Sequence, residues 1–150
     1  MTAERHVARA VGATTSSAPP YRVELRAGAH QLVADEPASG GGGDAGPSPF
    51  ALLLSGLAAC TAMTLRMYAE RKGWTVAAIE VEARYDVADD GSASIDRTIT
   101  MPADLPADQR DRLADIAERT PVTKAVRAGT PITTTIRIID TPSPTAHPAS

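Results

Sequence analysis

The chain has 150 residues, 43% of them hydrophobic and 22% charged, with a formal net charge of −3 at pH 7. This length and composition predict one soluble globular domain that can bury a core without disulfides or metals. A single cysteine excludes an intramolecular disulfide framework and a zinc site built on several cysteines. The charge balance, with no Lys/Arg-rich patch, argues against nucleic acid as a partner. No signal-peptide core precedes residue 20, and the longest apolar run, residues 50–54, is too short to span a membrane. We therefore expect a cytoplasmic protein.

The N-terminal third predicts a short hairpin. Residues 1–20 are small and polar, as in a tail, and residues 7–11 could add an edge strand. Residues 21–26 alternate between apolar and polar side chains, as a half-buried strand does. Residues 30–34 have the composition of a second strand after a glycine-containing turn, so we expect the two strands to pair.

A glycine-rich segment follows the hairpin. Residues 39–48 include four consecutive glycines, a composition typical of a flexible connector. A phosphate-binding loop is the sharper alternative, but no Lys-Ser or Lys-Thr pair follows the glycines. Asp35 and Glu36 precede this segment and resemble a paired-carboxylate site. Because adjacent residues of an extended chain point apart, we expect these two to end the strand and cap the loop.

The strongest local prediction is a helix over residues 49–72. Ser48 is a favourable N-cap, Pro49 suits the first helical position, and Gly73 is a favourable stop. Residues 50–64 carry no charge on any face, which is typical of a helix buried on all sides. We therefore expect a central helix that is wrapped by sheet or packed against a partner subunit.

The second half of the chain predicts further strands and short helices. An Asp-Asp-Gly turn at residues 89–91 separates two predicted strands, and two helices and a β-branched strand follow. The predicted ranges are 74–85 and 94–101 for the strand pair, 106–119 and 122–128 for the helices, and 133–139 for the last strand. Residues 141–150 have the composition of a disordered tail. The element order indicates an α+β fold with antiparallel sheets around a long buried helix.

Four short motifs stand out in the sequence: DEP at 35–37, DAGPSP at 44–49, LAACTAMTLRMYA at 57–69 and RKGW at 71–74. Together they resemble the OsmC/Ohr family, and in particular its OsmC-like branch. The resemblance extends over residues 21–140, which we take as one domain. It implies an OsmC-like fold and an intertwined homodimer with active sites at the interface. It also implies that Cys60, on the central helix, is the peroxidatic cysteine that reduces organic hydroperoxides or related oxidants. We expect no cofactor and no metal.

Three positions depart from the family pattern. In the branch with these motifs, the cysteine of an Arg-Cys-Pro-Val-His segment resolves the oxidised thiol; here Thr120 replaces that cysteine and Thr123 replaces the histidine. In the best-characterised peroxidases of the family, a glutamate after the helix-starting proline orients an arginine beside the thiol. That position is Phe50 here. The resemblance implies that the arginine comes from the N-terminal hairpin region, where Arg22 and Arg26 are the candidates.

A peroxidatic cysteine must react as a thiolate, and this sets requirements on its surroundings. A free thiol has a pKa near about 8.5; a nearby guanidinium favours ionisation, whereas apolar burial opposes it. Cys60 lies about three turns into the helix, beyond the reach of the helix dipole. Arg66 lies roughly 120° further round the helix, which makes it a poor partner within the same chain. Without a second cysteine, the sulfenic acid would need an external thiol.

Two functions follow as expectations. The first is a one-cysteine thiol peroxidase that acts through Cys60, with an external thiol as reductant. The alternative is a catalytically degenerate family member that binds a small apolar ligand or senses redox state, since Phe50 makes the helix start more apolar. A buried cysteine can also be only a small core residue. A dimer with a structural role and no small-molecule ligand is therefore a third possible function. Met63 and Met67 are expected to pack or to line a pocket rather than bind metal, and His30 is expected to be solvated.

Overall fold

The computed structural model describes residues 5–15 and 19–140, and it has the predicted α+β architecture. Its first sheet has three antiparallel strands in the order β1-β2-β3, at Ala10–Ala13, Val23–Ala27 and His30–Ala34. The predicted hairpin of β2 and β3 is confirmed. An edge strand does form on β2, but at residues 10–13 rather than at residues 7–11.

The glycine-rich segment after β3 is held in place by hydrogen bonds, which corrects the prediction of a flexible connector. The Asp35 carboxylate accepts three backbone N–H groups, from Glu36 at 2.8 Å and from Gly43 and Ala45 at 3.1 Å each. Asp35 itself is 2% exposed. Because one buried carboxylate satisfies three backbone donors, the loop is organised around Asp35 in spite of its glycine content. The expectation that Asp35 caps this loop is thereby met.

The central helix α1 spans Pro49–Arg71 and begins and ends as the sequence predicts. The Ser48 hydroxyl accepts a hydrogen bond from the backbone N–H of Ala51 at 3.3 Å. At the other end, Gly73 takes the left-handed conformation with φ of 70°, which glycine favours because it has no Cβ.

Within one chain, α1 buries a single face, which corrects the prediction of a helix buried on all sides. The buried residues recur at every fourth position: Leu57, Thr61, Leu65 and Ala69. On the opposite side of the helix, Met63 and Met67 are 64% and 59% exposed, and near the helix start Phe50 and Leu53 are 53% and 42% exposed. By length and mean hydropathy alone α1 could cross a bilayer, a property that it shares with core helices of soluble proteins.

The second half of the chain packs against the buried face of α1. It consists of the antiparallel strands β4 (Glu80–Val87) and β5 (Ala93–Thr100) and the helices α2 (Ala107–Ala117) and α3 (Pro121–Ala128). The core lies between these elements and α1, at Leu65, Ala69, Val76, Leu105, Leu113 and Ala117. Packing of apolar side chains from both halves of the chain therefore fixes where α1 lies.

The prediction of a last strand at residues 133–139 is wrong for the single chain. No strand is assigned over residues 129–140, and Ile132, Ile136, Ile138 and Ile139 are 81–90% exposed. A β-branched segment needs a neighbouring strand to satisfy its backbone groups, and no described strand of the same chain pairs with it. The predicted tail at 141–150 lies outside the described residues.

Candidate functional site

Cys60 lies in the middle of α1 with a free, half-buried thiol. The next residue, Thr61, is on the buried face, and Leu57 lies one turn before it on the same face. Met63, one turn after Cys60, is 64% exposed. The cysteine therefore sits at the border between the packed interior of the chain and the uncovered apolar face of α1.

The side chain that reaches α1 next to this cysteine is Arg97 of β5. Its Nη1 donates to the hydroxyl of Thr61 at 3.1 Å and to the hydroxyl of Thr123 at 2.7 Å. Its Nη2 donates to the carbonyl of Ala117 at 3.0 Å and to Glu118 Oε1 at 3.2 Å. The Arg97 side chain is only 11% exposed. It therefore links α1, β5, the end of α2 and the start of α3, and it satisfies a carbonyl that the end of α2 leaves unpaired.

Thr120 and Thr123, which replace a cysteine and a histidine of the family pattern, belong to this hydrogen-bonded group. They are 0% and 6% exposed, and their hydroxyl oxygens lie 2.7 Å apart. Thr123 also accepts the hydrogen bond from Arg97. Among the described residues, no buried side-chain nitrogen or oxygen lacks a partner. The two threonines thus provide a satisfied polar contact between helices, and neither carries a group that could form a disulfide.

Sequence reasoning missed Arg97, although a signal for it exists. In β5 the half-buried residues alternate as Ile95, Arg97 and Ile99, so the arginine occupies an inward position between two isoleucines. Strand periodicity assigns such a residue to the core side. An arginine there must find partners in the interior, because an unpaired buried charge is costly.

The arginines that sequence analysis singled out lie elsewhere. Arg22 forms an ion pair with Glu24 at 2.8 Å, and Arg26 lies on β2 opposite Gln31. Over residues 5–15 and 19–140, no hydrogen bond or ion pair joins either arginine to α1. Arg66 donates to the carbonyl of Val76 and so fixes the end of α1 to the chain that follows it. Within a single chain, the described contacts therefore leave the Cys60 thiol without a hydrogen-bonded cation.

An open cleft of about 460 Å³ lies beside this group, with Leu57 and Arg97 in its wall. Tyr85 also lines the cleft, and its ring packs on Phe50 with 4.5 Å between the ring centroids. At the other end, Glu118 accepts a hydrogen bond from Arg127 at 2.6 Å. This bond to Arg127 is the main reason that the pKa of Glu118 is lowered from its usual value, and Arg97 adds to the effect.

Metal ligands are not grouped in the part of the chain that the structure describes, where no three His, Cys, Asp or Glu residues come together. His30 is exposed at the start of β3, as expected. The candidate site is therefore a half-buried thiol on α1, a guanidinium bonded to the adjacent threonine, and a cleft that begins one helical turn away.

This combination defines a class of α+β proteins that have antiparallel sheets and a long helix that carries a cysteine. The family model described as OsmC-like protein matches residues 41–135, more than half of the sequence. The chain belongs to the OsmC/Ohr family, as its motifs indicate.

Solved structures share this fold along most of the chain. The OsmC-like protein from Mycoplasma pneumoniae is 18% identical with a TM-score of 0.65, and the match covers 84% of this chain and 91% of that one. The organic hydroperoxide resistance protein OsmC from Legionella pneumophila is 17% identical with a TM-score of 0.61 over 83% and 92%. The organic hydroperoxide resistance protein OhrB of Bacillus subtilis is 22% identical with a TM-score of 0.56 over 83% and 93%. No curated protein matches the sequence.

Proposed function

We propose that the protein is a one-cysteine thiol peroxidase that reduces organic hydroperoxides or related oxidants through Cys60. The position of this cysteine carries the proposal: it is half-buried in the middle of α1 and borders an uncovered apolar face. Family membership supports the same chemistry, because relatives with this fold are named for organic hydroperoxide resistance. An apolar surface beside the thiol suits an organic peroxide better than a small polar oxidant.

The reaction has two balanced steps. The Cys60 thiolate attacks one peroxide oxygen, the O–O bond breaks, and the departing alkoxide takes up a proton to leave as an alcohol. Cys60 is then a sulfenic acid. A thiolate from a small molecule or another protein attacks the sulfenic sulfur, water leaves, and a mixed disulfide forms. A second external thiol releases the reduced enzyme, so that two thiols are oxidised for each peroxide reduced.

An external reductant is needed because the chain has no second cysteine. The hydroxyl of Thr120 occupies the place of the resolving thiol in the family pattern, and it is hydrogen-bonded and fully buried. Because a disulfide with Thr120 cannot form, the sulfenic acid must persist until a thiol from solution reaches it. A reducing, cytoplasmic compartment would supply that thiol.

We propose further that the working form is a homodimer. The exposed apolar side chains of α1 and the four exposed isoleucines of residues 132–139 are the observations that support it. Burying each such side chain is worth about 1.5–3 kcal/mol, and contiguous apolar patches on soluble proteins mark interaction sites. A second copy packed on α1 would cover the thiol, and it could bring a cation to Cys60 that the single chain does not.

Turnover with a defined peroxide tests the peroxidase. The protein is incubated with cumene hydroperoxide and dithiothreitol, and peroxide loss is followed for the wild type, Cys60→Ser and the matched control Ala59→Ser. We expect turnover in the wild type and the control and none in Cys60→Ser. Turnover that survives in Cys60→Ser would rule out this function.

A second candidate is a family member that binds a small apolar ligand without turnover. The ring contact between Phe50 and Tyr85 favours it, because it places aromatic surface at the helix start, where the resemblance to the family's peroxidases implies an acidic side chain. Slow or absent reaction of Cys60 with peroxide, together with saturable ligand binding that persists in Cys60→Ser, would support this alternative. Rapid oxidation of Cys60 with recycling by a thiol would exclude it.

A further inference from the structure

The cleft beside Arg97 has the size of a ligand site. Its volume of about 460 Å³ falls within the range of sites for drug-sized molecules, about 300–1,000 Å³. The apolar part of its wall comes from four different elements, at Leu57, Tyr85, Ile95 and Val126, and its polar part includes Arg97, Glu118, Thr123 and Arg127. Cys60 is not among the lining residues, so a ligand could bind here whether or not the thiol turns over.

The charges in this wall do not cancel. Among the described residues that line the cleft, Arg97 and Arg127 are cationic and Glu118 is the one carboxylate, with its two oxygens at 3.2 Å from Arg97 and 2.6 Å from Arg127. Two guanidinium groups therefore share one carboxylate, which leaves one unit of positive charge on the polar side of the cleft. A ligand that suits this wall carries a single negative charge on one end.

The two arginines differ in how firmly they are held. Arg97 is 11% exposed and donates to Thr61, Thr123 and a backbone carbonyl, so its orientation is fixed from inside. Arg127 is 61% exposed, and its partners are the carbonyl and the carboxylate of Glu118. The Glu118 side chain is itself 56% exposed. Arg127 can therefore exchange its carboxylate partner for that of a ligand at little cost.

We propose that this cleft binds a small organic carboxylate with an apolar body. The carboxylate pairs with Arg127 in place of the Glu118 side chain, and the apolar body packs against Leu57, Tyr85 and Val126. This inference deepens the second candidate function by naming the charge of its ligand, and it does not depend on Cys60 turnover.

Calorimetric titration with octanoate and octanol as matched probes tests the proposal. Octanoate is expected to bind wild type at least about tenfold more tightly than octanol does, because only the acid gains a charge-assisted hydrogen bond. Arg127→Gln should weaken octanoate binding by about tenfold or more and leave octanol unchanged. Arg119→Gln is the control: this exposed arginine pairs with Asp115 and does not line the cleft, so the change should have no effect.

A second variant should change the affinity for octanoate in the opposite direction. Glu118→Gln removes the internal competitor for both arginines and should tighten octanoate binding several-fold. Equal affinity for octanoate and octanol, or unchanged octanoate binding in Arg127→Gln, would overturn the proposal, as would weaker binding in Glu118→Gln. Octanoate binding should persist in Cys60→Ser, so that a failed peroxidase and a failed carboxylate site give different results.

Discussion

Two segments of this chain behave in ways opposite to their composition. Residues 35–46 contain four consecutive glycines, yet Asp35 accepts three backbone hydrogen bonds and holds the loop in one arrangement. Residues 129–140 are rich in β-branched residues, yet they form no strand and their isoleucines lie exposed. The difference shows that available hydrogen-bonding partners decide order here. The first segment has its partner within the chain, and we propose that the second has its partner in another copy.

The largest effect is expected from adding a methyl group to the ordered loop. A Cβ at Gly46 would lie 2.1 Å from the carbonyl oxygen of Val33, and backbone cannot move aside as a flexible side chain can. Gly46→Ala should therefore lower the free energy of unfolding by about 2–4 kcal/mol, measured by urea denaturation. Gly40→Ala is the matched control in the same loop, because its Cβ would meet only side-chain atoms, at 3.4 Å or more. Equal stability of the two variants would show that the loop is not held as described.

The next effect concerns the unpaired C-terminal segment. Ile136 and Ile138 lie on the same side of an extended chain and are 82% and 84% exposed. Ile138→Asp would bury a charge in the dimer interface. It should therefore weaken self-association by at least about 100-fold, measured by sedimentation equilibrium. The melting temperature at concentrations where both proteins are monomeric should not change. Wild type that stays monomeric at all concentrations would contradict the proposed homodimer.

A change at Asp35 should have a smaller and pH-dependent effect. Its pKa is lowered from the usual value, chiefly by the hydrogen bond from Ala45 and also by those from Glu36 and Gly43. A lowered carboxyl pKa stabilises the fold above the pKa of the unfolded chain, about 3.9, and that stabilisation is lost as the pH falls through the folded pKa.

We therefore expect Asp35→Asn to lower the melting temperature by roughly 5 °C at pH 7. The difference in melting temperature between variant and wild type should stay constant down to about pH 5 and become smaller below about pH 4. Asp44→Asn in the same loop is the control. A difference in melting temperature that grows on acidification would contradict the proposed role of the Asp35 carboxylate.

Much of the fold could be predicted because its signals are local. Ser48, Pro49 and Gly73 mark the ends of α1 through capping chemistry, and alternation marks the strands. The state of residues 133–139 could not be predicted from β propensity, since a strand exists only beside another strand. The fixed conformation of the Gly-rich loop was not predicted either. Glycine content does not indicate that Asp35, which precedes the glycines, accepts backbone hydrogen bonds from the loop.

The candidate site could be predicted in part. The motif predicts Cys60 as the peroxidatic cysteine, a role that stays a prediction, and the same resemblance points to the changes at Thr120 and Thr123. Arg97 was not predicted, because its role depends on contacts with residues 20 to 36 positions away in the chain. The alternation of half-buried residues along β5, which places Arg97 on the inward side of the strand, was the one feature that could have predicted it.

The central claim is that Cys60 is oxidised by peroxide and stays oxidised until an external thiol arrives. Intact-mass measurement after one equivalent of cumene hydroperoxide, with no thiol present, tests it directly. We expect wild type to gain the mass of one oxygen atom at Cys60, dithiothreitol to remove it, and Cys60→Ser to gain nothing. An unmodified wild-type protein in the presence of unconsumed peroxide would show that Cys60 is not a peroxidatic cysteine.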